Sequence, residues 1–224
     1  MEDEDMNLLL LGLPGAGKGT HAKKLSEEYP FTLISSGRIF RNAAKQTTPL
    51  GEISKRYILE GKLVPDEIAV KLMKKKIFKF KDKNLILEGF PRTLNQAKNL
   101  DEILNQVDKK LNLSIYLKVK EENLVYRLKG RRLCSNDGAI YHVNFAPPEK
   151  EGICDECGGS LHQPEDEKVE IIKKRIHENR KKTDNMIKYY KEKNILKTVE
   201  GTNKSPDEVH RDIKKIIEEH TIKI

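Results

Sequence analysis

The thirteen residues Leu8-Leu-Leu-Leu-Gly-Leu-Pro-Gly-Ala-Gly-Lys-Gly-Thr20 restrict the folds open to this chain more than any other stretch. An apolar run long enough for one buried parallel strand gives way to Gly12, Pro14, Gly15 and Gly17, then to Lys18 and a helical pattern. Strand, loop and helix start follow in that order. Glycines let the backbone curl until several N–H groups face one hollow, and the helix adds its unpaired N–H groups and the positive end of its dipole. Such a hollow suits phosphate oxygens. Lys18 is spaced to reach β- and γ-phosphates, and the Thr20 hydroxyl falls near a magnesium ion's expected place. Gly19 stands where the generic motif has Ser or Thr. The plainer alternative, a glycine-rich turn with an incidental lysine, needs four special residues to share this spacing by accident.

Further along, Phe31–Ser36, Asn84–Glu88, Leu113–Val119 and a short stretch near Ile195–Glu200 read as strands. Helical patterns lie between them: Thr20–Tyr29, a start at Ser36, Thr48 to a stop at Gly61, Pro65 to about Phe80, Glu121–Lys129, about Asp166 to Lys193, and Ser205 onward. Alternation of this kind predicts an α/β fold, a five-stranded parallel sheet with helices on both faces. Glu88 ends an apolar strand, at the edge where open α/β sheets hold ligands. Arg41, one and a half turns into its helix, can grip a phosphate with two parallel bonds.

Between Arg132 and Gln163 the alternation stops. Cys134-Ser-Asn-Asp137 and Cys154-Asp-Glu-Cys157 bracket a stretch rich in turn residues, with the spacing of a four-ligand zinc knuckle in which Asp137 takes one cysteine's place. A segment this poor in apolar residues gains folding energy from a metal. A metal-free hairpin with reduced thiols, or one disulfide with a spare cysteine, is the alternative. Asp166 and its neighbouring acids read as hinge and lid contacts rather than ligands.

Taken together, Gly-x-Pro-Gly-x-Gly-Lys-Gly-Thr, Ser36-Gly-x-x-x-Arg41 with Ser35 before it, Gly61-Lys-Leu-Val-Pro-Asp66, Glu88-Gly-Phe-Pro-Arg-Thr93 with Gln96, and Gly130-Arg-Arg132 resemble, in order, the adenylate kinases with a long lid. The likeness runs from Met6 to the last helix. It implies a P-loop three-layer core (1–35, 65–130 and 165–224), a monophosphate-binding segment (36–64) and a zinc-bearing lid (131–164). It also implies Mg2+-dependent, reversible transfer between ATP and AMP, giving ADP. By resemblance ATP lies on Gly15, Ala16, Gly17, Lys18, Gly19 and Thr20, with Arg131, Ile140 and Tyr141 from the lid and Asn203 near the adenine. AMP meets Ser36, Arg41, Lys62, Leu63, Val64, Gly89, Phe90, Pro91, Arg92 and Gln96, and Arg175 spans to its phosphate. Lys18, Arg92, Arg127, Arg131 and Arg175 are the expected catalytic cations, and Glu88 the partner of a hydrated magnesium ion. Zinc falls to Cys134, Asp137, Cys154 and Cys157.

Three positions depart from the family pattern. Arg38 and Glu88 each stand where an Asp is usual, and Pro164 where an arginine is usual. These bear on magnesium, rate and base choice, so a relaxed choice of acceptor or donor base is an expectation.

Composition decides between classes. Charged residues make up 35% of the chain and the formal net charge is +8, despite the acidic run Glu2–Asp5. That balance suits polyanions, and a nucleic-acid-associated nucleotide switch is the rival class. Aromatic residues at 6% and no Trp weaken a base-stacking surface, so no nucleic-acid partner is expected. An inactive relative that keeps the fold is a second rival. No apolar run approaches the roughly 20 residues that span a bilayer, and the acidic start is unlike a secretory leader. A cytoplasmic protein without a membrane partner is expected, monomeric by the resemblance, with a homo-oligomer left open.

Overall fold

A computed structural model describes residues 6–60 and 62–221. The acidic run Glu2–Asp5, the helix stop at Gly61 and the Asp166 side chain lie outside the described residues. The chain runs β1 (Asn7–Leu11), α1 (Lys18–Glu28), β2 (Phe31–Ser35), α2 (Ser36–Ala44), α3 (Pro49–Leu59), α4 (Asp66–Lys79), β3 (Asn84–Glu88), α5 (Leu94–Asn105), β4 (Leu113–Lys118) and α6 (Glu121–Lys129). A hairpin region follows with β5 (Arg131–Cys134), β6 (Ile140–His142) and β7 (Leu161–His162), then α7 (Val169–Glu192), β8 (Leu196–Glu200) and α8 (Pro206–Thr221).

Five strands form one parallel sheet in the order β2-β3-β1-β4-β8. All of β1 is buried, because helices cover both faces. Leu8 and Leu10 pack with Leu25, Ile172 and Ile213 on one side, and Leu9 and Leu11 with Met73, Leu100 and Tyr190 on the other. Each such leucine contributes roughly 1.5–3 kcal/mol through burial. Register then decides where chemistry gathers: Leu10 and Ser35 both pair with Glu88, so the ends of β1, β2 and β3 meet at one edge.

Strands β6-β5-β7 make a small antiparallel sheet. Its apolar cluster holds only Cys134, Ala139, Tyr141 and Cys154, with Leu161 against it.

Two helix starts and one whole helix differ from expectation. Helix α1 begins at Lys18, since Gly17 supplies the left-handed turn that starts it. The long helix begins at Val169, because Pro164 leads a separate 3-10 turn over Glu165–Glu167. Helix α5 was not anticipated, and the Thr93 hydroxyl caps it by accepting the Gln96 N–H at 3.1 Å. No helix among the described residues is long and apolar enough to cross a membrane.

Candidate active site

The loop from Gly12 to Gly17 joins β1 to α1 over the sheet's C-terminal edge. A side chain at Gly15 is excluded twice: φ is +85°, and a Cβ there would lie 2.9 Å from the Leu124 carbonyl oxygen. The first i→i−4 bond of α1 runs from the His21 N–H to the Gly17 carbonyl at 3.1 Å, so the N–H groups of Lys18, Gly19 and Thr20 precede it. Lys18 Nζ donates to the carbonyls of Gly12 and Leu13 at 2.8 and 3.0 Å. Burial pulls its pKa down to about 7; Glu88 opposes this, and Arg92, Arg131 and Arg175 reinforce it.

Glu88 accepts from the Ser35 hydroxyl at 2.6 Å. Burial alone would raise its pKa, but Lys18, that hydroxyl, Arg92 and Arg41 outweigh it and keep the carboxyl below its usual range. An ionised carboxylate therefore sits among cations at the sheet edge.

Two cavities abut there. The larger, about 810 Å³, is lined by Gly15, Gly17, Lys18, Gly19, Thr20, Glu88, Pro91, Arg127, Arg131, Ile140, Tyr141 and Asn203. The smaller, about 100 Å³, is lined by Ser36, Lys62, Leu63, Val64, Phe90 and Gln96. Arg41, Gly89, Arg92 and Arg175 border both. Ser36 Oγ and Arg92 Nε donate to the Gly89 carbonyl at 2.6 and 2.7 Å, which fixes the wall between them. Arg127 is tied to the Gly201 carbonyl at 2.8 Å.

Some expected residues sit differently. The Ala16 methyl belongs to the core, its N–H goes to the Leu13 carbonyl at 3.1 Å, and it lines neither cavity. The Tyr141 hydroxyl faces the cysteines, accepting the Asp155 N–H at 2.9 Å with Cys154 Sγ at 3.5 Å. Lys62 Nζ pairs with Glu60 at 2.7 Å.

The hairpin lies over the loop. A Cβ on Gly19 would meet Ile140 Cδ1 at 3.3 Å, Lys23 pairs with Glu156, and Lys45 Nζ donates to the Ser135 carbonyl at 2.7 Å. Glu167, one of the acids beside Asp166 that were expected to make hinge and lid contacts, binds the first residue of the hairpin, and several other contributors escaped the sequence. The Glu167 side chain, 0% exposed, receives Arg131 through Nε at 3.1 Å and through Nη2, with Arg175 at 3.9 Å. Asp66 and the aromatic group Tyr126, His142 and Phe145 are the others. The run of acids after Pro164 carried the signal for Glu167; the rings carried none, because their meeting depends on how the hairpin folds back on α6.

Cys134, Asp137, Cys154 and Cys157 bring their ligand atoms within 4.8 Å of one another. Cys134 Sγ and Cys157 Sγ are 3.4 Å apart, and Cys154 Sγ lies 3.5 Å from Asp137 Oδ2. Tetrahedral zinc with Zn–S bonds of about 2.3 Å spaces its ligands by roughly 3.8 Å, so the group fits that ion. The Ala139 N–H, then the thiols, hold the Asp137 carboxyl well below its usual range.

A parallel sheet with a phosphate-type loop, and beside it a second arginine-lined cavity, define a nucleotide-binding phosphotransferase. Comparison with known proteins narrows that class. The sequence model of the family described as adenylate kinase matches residues 10–195. The chain is 45% identical to the adenylate kinase of Enterococcus faecalis over 217 residues, 96% of this chain and 100% of that one. Identity is 44% to that of Archaeoglobus fulgidus over 95% of this chain and 98% of that one, and 44% to that of Caldicellulosiruptor bescii over 90% and 94%. The chain belongs to the adenylate kinase family, and is a nucleoside monophosphate kinase.

Proposed function

We propose that the chain transfers the γ-phosphoryl group of ATP to AMP, reversibly, yielding two ADP. The observation that carries this is the shared wall of the two cavities, where Arg41, Arg92 and Arg175 border both spaces. A donor in the larger space and an acceptor in the smaller would present their phosphates to each other across those guanidinium groups. Phosphoryl transfer asks for alignment, neutralised charge and excluded water.

In this reading the loop N–H groups and Lys18 hold the donor phosphates. Lys18 leaves its two carbonyls for them. Arg92, Arg127, Arg131 and Arg175 stabilise the charge of the group in transit. Ser36, Arg41 and the 62–64 edge hold AMP, and Gln96 meets its base. Residues 131–164 act as the lid, 36–64 as the acceptor segment and the remainder as the core. Closure excludes water, which would otherwise divert the reaction to hydrolysis.

The Thr20 hydroxyl and the ionised Glu88 with Ser35 are hard oxygen groups that suit a hydrated magnesium ion, which when bound neutralises charge between the β- and γ-phosphates. Zinc on Cys134, Asp137, Cys154 and Cys157 would be structural, because protein fills all four positions. We place relaxed base choice on the donor side. Tyr126 and Phe145, 50% and 52% exposed, offer the larger cavity ring faces that stack on any base. In this reading the protein acts as a monomer, as the family resemblance implies, on the cytoplasmic ATP, ADP and AMP pool.

The test is disproportionation. Given ADP and magnesium alone, the protein should produce ATP and AMP, and Lys18→Ala should lose most of the turnover. ADP that is bound but unchanged, or Lys18→Ala within tenfold of wild type, would refute the assignment.

A further inference from the structure

The amide of Gln96 is 3% exposed and lines the smaller cavity. Its Oε1 accepts the Arg92 backbone N–H at 2.7 Å, and its Nε2 donates to Asp66 Oδ1 at 2.7 Å. The second Asp66 oxygen accepts from the Thr93 hydroxyl at 2.7 Å and from Asn95 Nδ2 at 3.2 Å. Asp66 opens α4, where two acids already complement the helix dipole, and it reaches across to the first turn of α5.

These partners leave the amide one orientation. The Arg92 N–H can only donate, and both Asp66 oxygens accept, from Gln96, Thr93 and Asn95, so a flipped Gln96 would set N–H against N–H and oxygen against oxygen. What remains for a ligand is one lone pair on Oε1 and one hydrogen on Nε2, the oxygen and the nitrogen held in a fixed order. An unrestrained glutamine could turn over and pair with either order. A fixed one matches the acceptor N1 and donor 6-amino group of adenine, and opposes the donor N1–H and acceptor O6 of hypoxanthine or guanine.

We propose that Asp66 is the positioning residue that sets acceptor-base selectivity, by locking the Gln96 amide in the order that pairs with a 6-aminopurine. The inference rests on the reading that the smaller cavity receives the acceptor base. It places strict selection on the acceptor side, in contrast to the ring-walled donor side, and it assigns discrimination to a residue that does not touch the ligand.

AMP and IMP differ only at the two groups concerned, so the experiment compares kcat/KM for both in the full-length enzyme. Wild type should favour AMP at least about a hundredfold, because a site built for one hydrogen-bond pattern leaves buried groups unpaired with the other. Asp66→Asn keeps the shape but can face Gln96 with either an oxygen or an amide. The ratio should narrow at least about tenfold, with the KM for ATP within twofold of wild type. Asn95→Ala, which removes a neighbour of Asp66 and leaves the lock, should preserve the ratio. General loosening would lower both acceptors alike, so an unchanged ratio in Asp66→Asn overturns the proposal.

A measurement on wild type stands apart from any variant's folding. The Gln96 side-chain amide protons should exchange slowly with solvent and resonate away from random-coil positions, and fast exchange at random-coil positions also overturns the lock. Gln96→Leu separates the two levels of the argument. If its KM for AMP stays within threefold of wild type, the placement of the base fails. If that KM rises tenfold while Asp66→Asn keeps wild-type selectivity, only the role of Asp66 fails.

Discussion

Binding of ATP should draw a proton from solution, and Lys18 is the reason. In the ligand-free cleft its ammonium is buried beside three arginines, and its pKa falls to about 7. At pH 8 such a group is about one tenth protonated, and at pH 6 about nine tenths. A triphosphate on the loop places several negative charges against it and returns it toward its solution value near 10.4, which makes it fully charged. Uptake should therefore be about 0.9 proton per ATP bound at pH 8 and fall toward about 0.1 from this lysine at pH 6. A terminal phosphate ionises near pH 6, so at pH 8 the ligand itself releases almost nothing. Titration calorimetry in two buffers of different ionisation enthalpy reads the proton count directly, with Lys18→Met as control. Uptake below 0.2 at pH 8, or equal uptake in the variant, would refute the burial argument. Stability follows the same sign. Between about pH 7 and 10 the unfolded chain holds the extra proton, so the ligand-free protein should gain stability as pH rises through that window, and ATP should flatten the trend.

Glu167→Ala takes a buried carboxylate partner from Arg131 and Arg175 and should cost about 3 kcal/mol, the low end for a buried pair because the Arg131 side chain keeps 24% exposure. For a chain of this length that lowers Tm by about 6–12 °C, and a shift under 2 °C in a thermal melt counts against it. One zinc per chain should be found by elemental analysis of wild type and less than 0.2 in Cys157→Ser, with the variant's hairpin cleaved first by protease; equal metal content in both removes the zinc assignment. The exposed Lys23–Glu156 pair is worth about 0.2–1 kcal/mol. Glu156→Gln should therefore raise turnover up to about fivefold where opening limits the rate, and added salt should speed wild type but not the variant. Indistinguishable salt profiles would show that the Lys23–Glu156 pair does not hold the hairpin down.

The architecture could be read in the chain because its strongest signals are local. Four leucines before a glycine loop dictate a buried strand and a helix start, and alternating segments dictate a covered parallel sheet. The grouping Cys134, Asp137, Cys154 and Cys157 was also legible, since spacing in two short turns brings those atoms together. Helix α5 was not, because its start at Thr93 follows directly on Gly89-Phe-Pro-Arg92, which reads as loop. The supporting partners were out of reach for another reason. Ser35 meets Glu88 through strand register, Asp66 meets Gln96 through the approach of two helix starts, and Glu167 meets Arg131 across the base of the hairpin. None of these pairs has a spacing that a sequence motif records. Tyr141 shows the converse: it lines the larger cavity, yet its polar atom turns toward the cysteines.

The bond from Lys45 to the Ser135 carbonyl joins the end of α2 to the tip of the hairpin, so the two flaps that would cover the two nucleotides touch each other. Mechanical contact of that kind makes occupancy at one end felt at the other. If the covers close as proposed, the nucleotide that arrives first would bring down its own and offer a foothold to the opposite one, and thermodynamic reciprocity would return the favour in equal measure. On the proposed reading such a contact would make the pair of covers a rudimentary coincidence detector, shut fully by two nucleotides and only halfway by one.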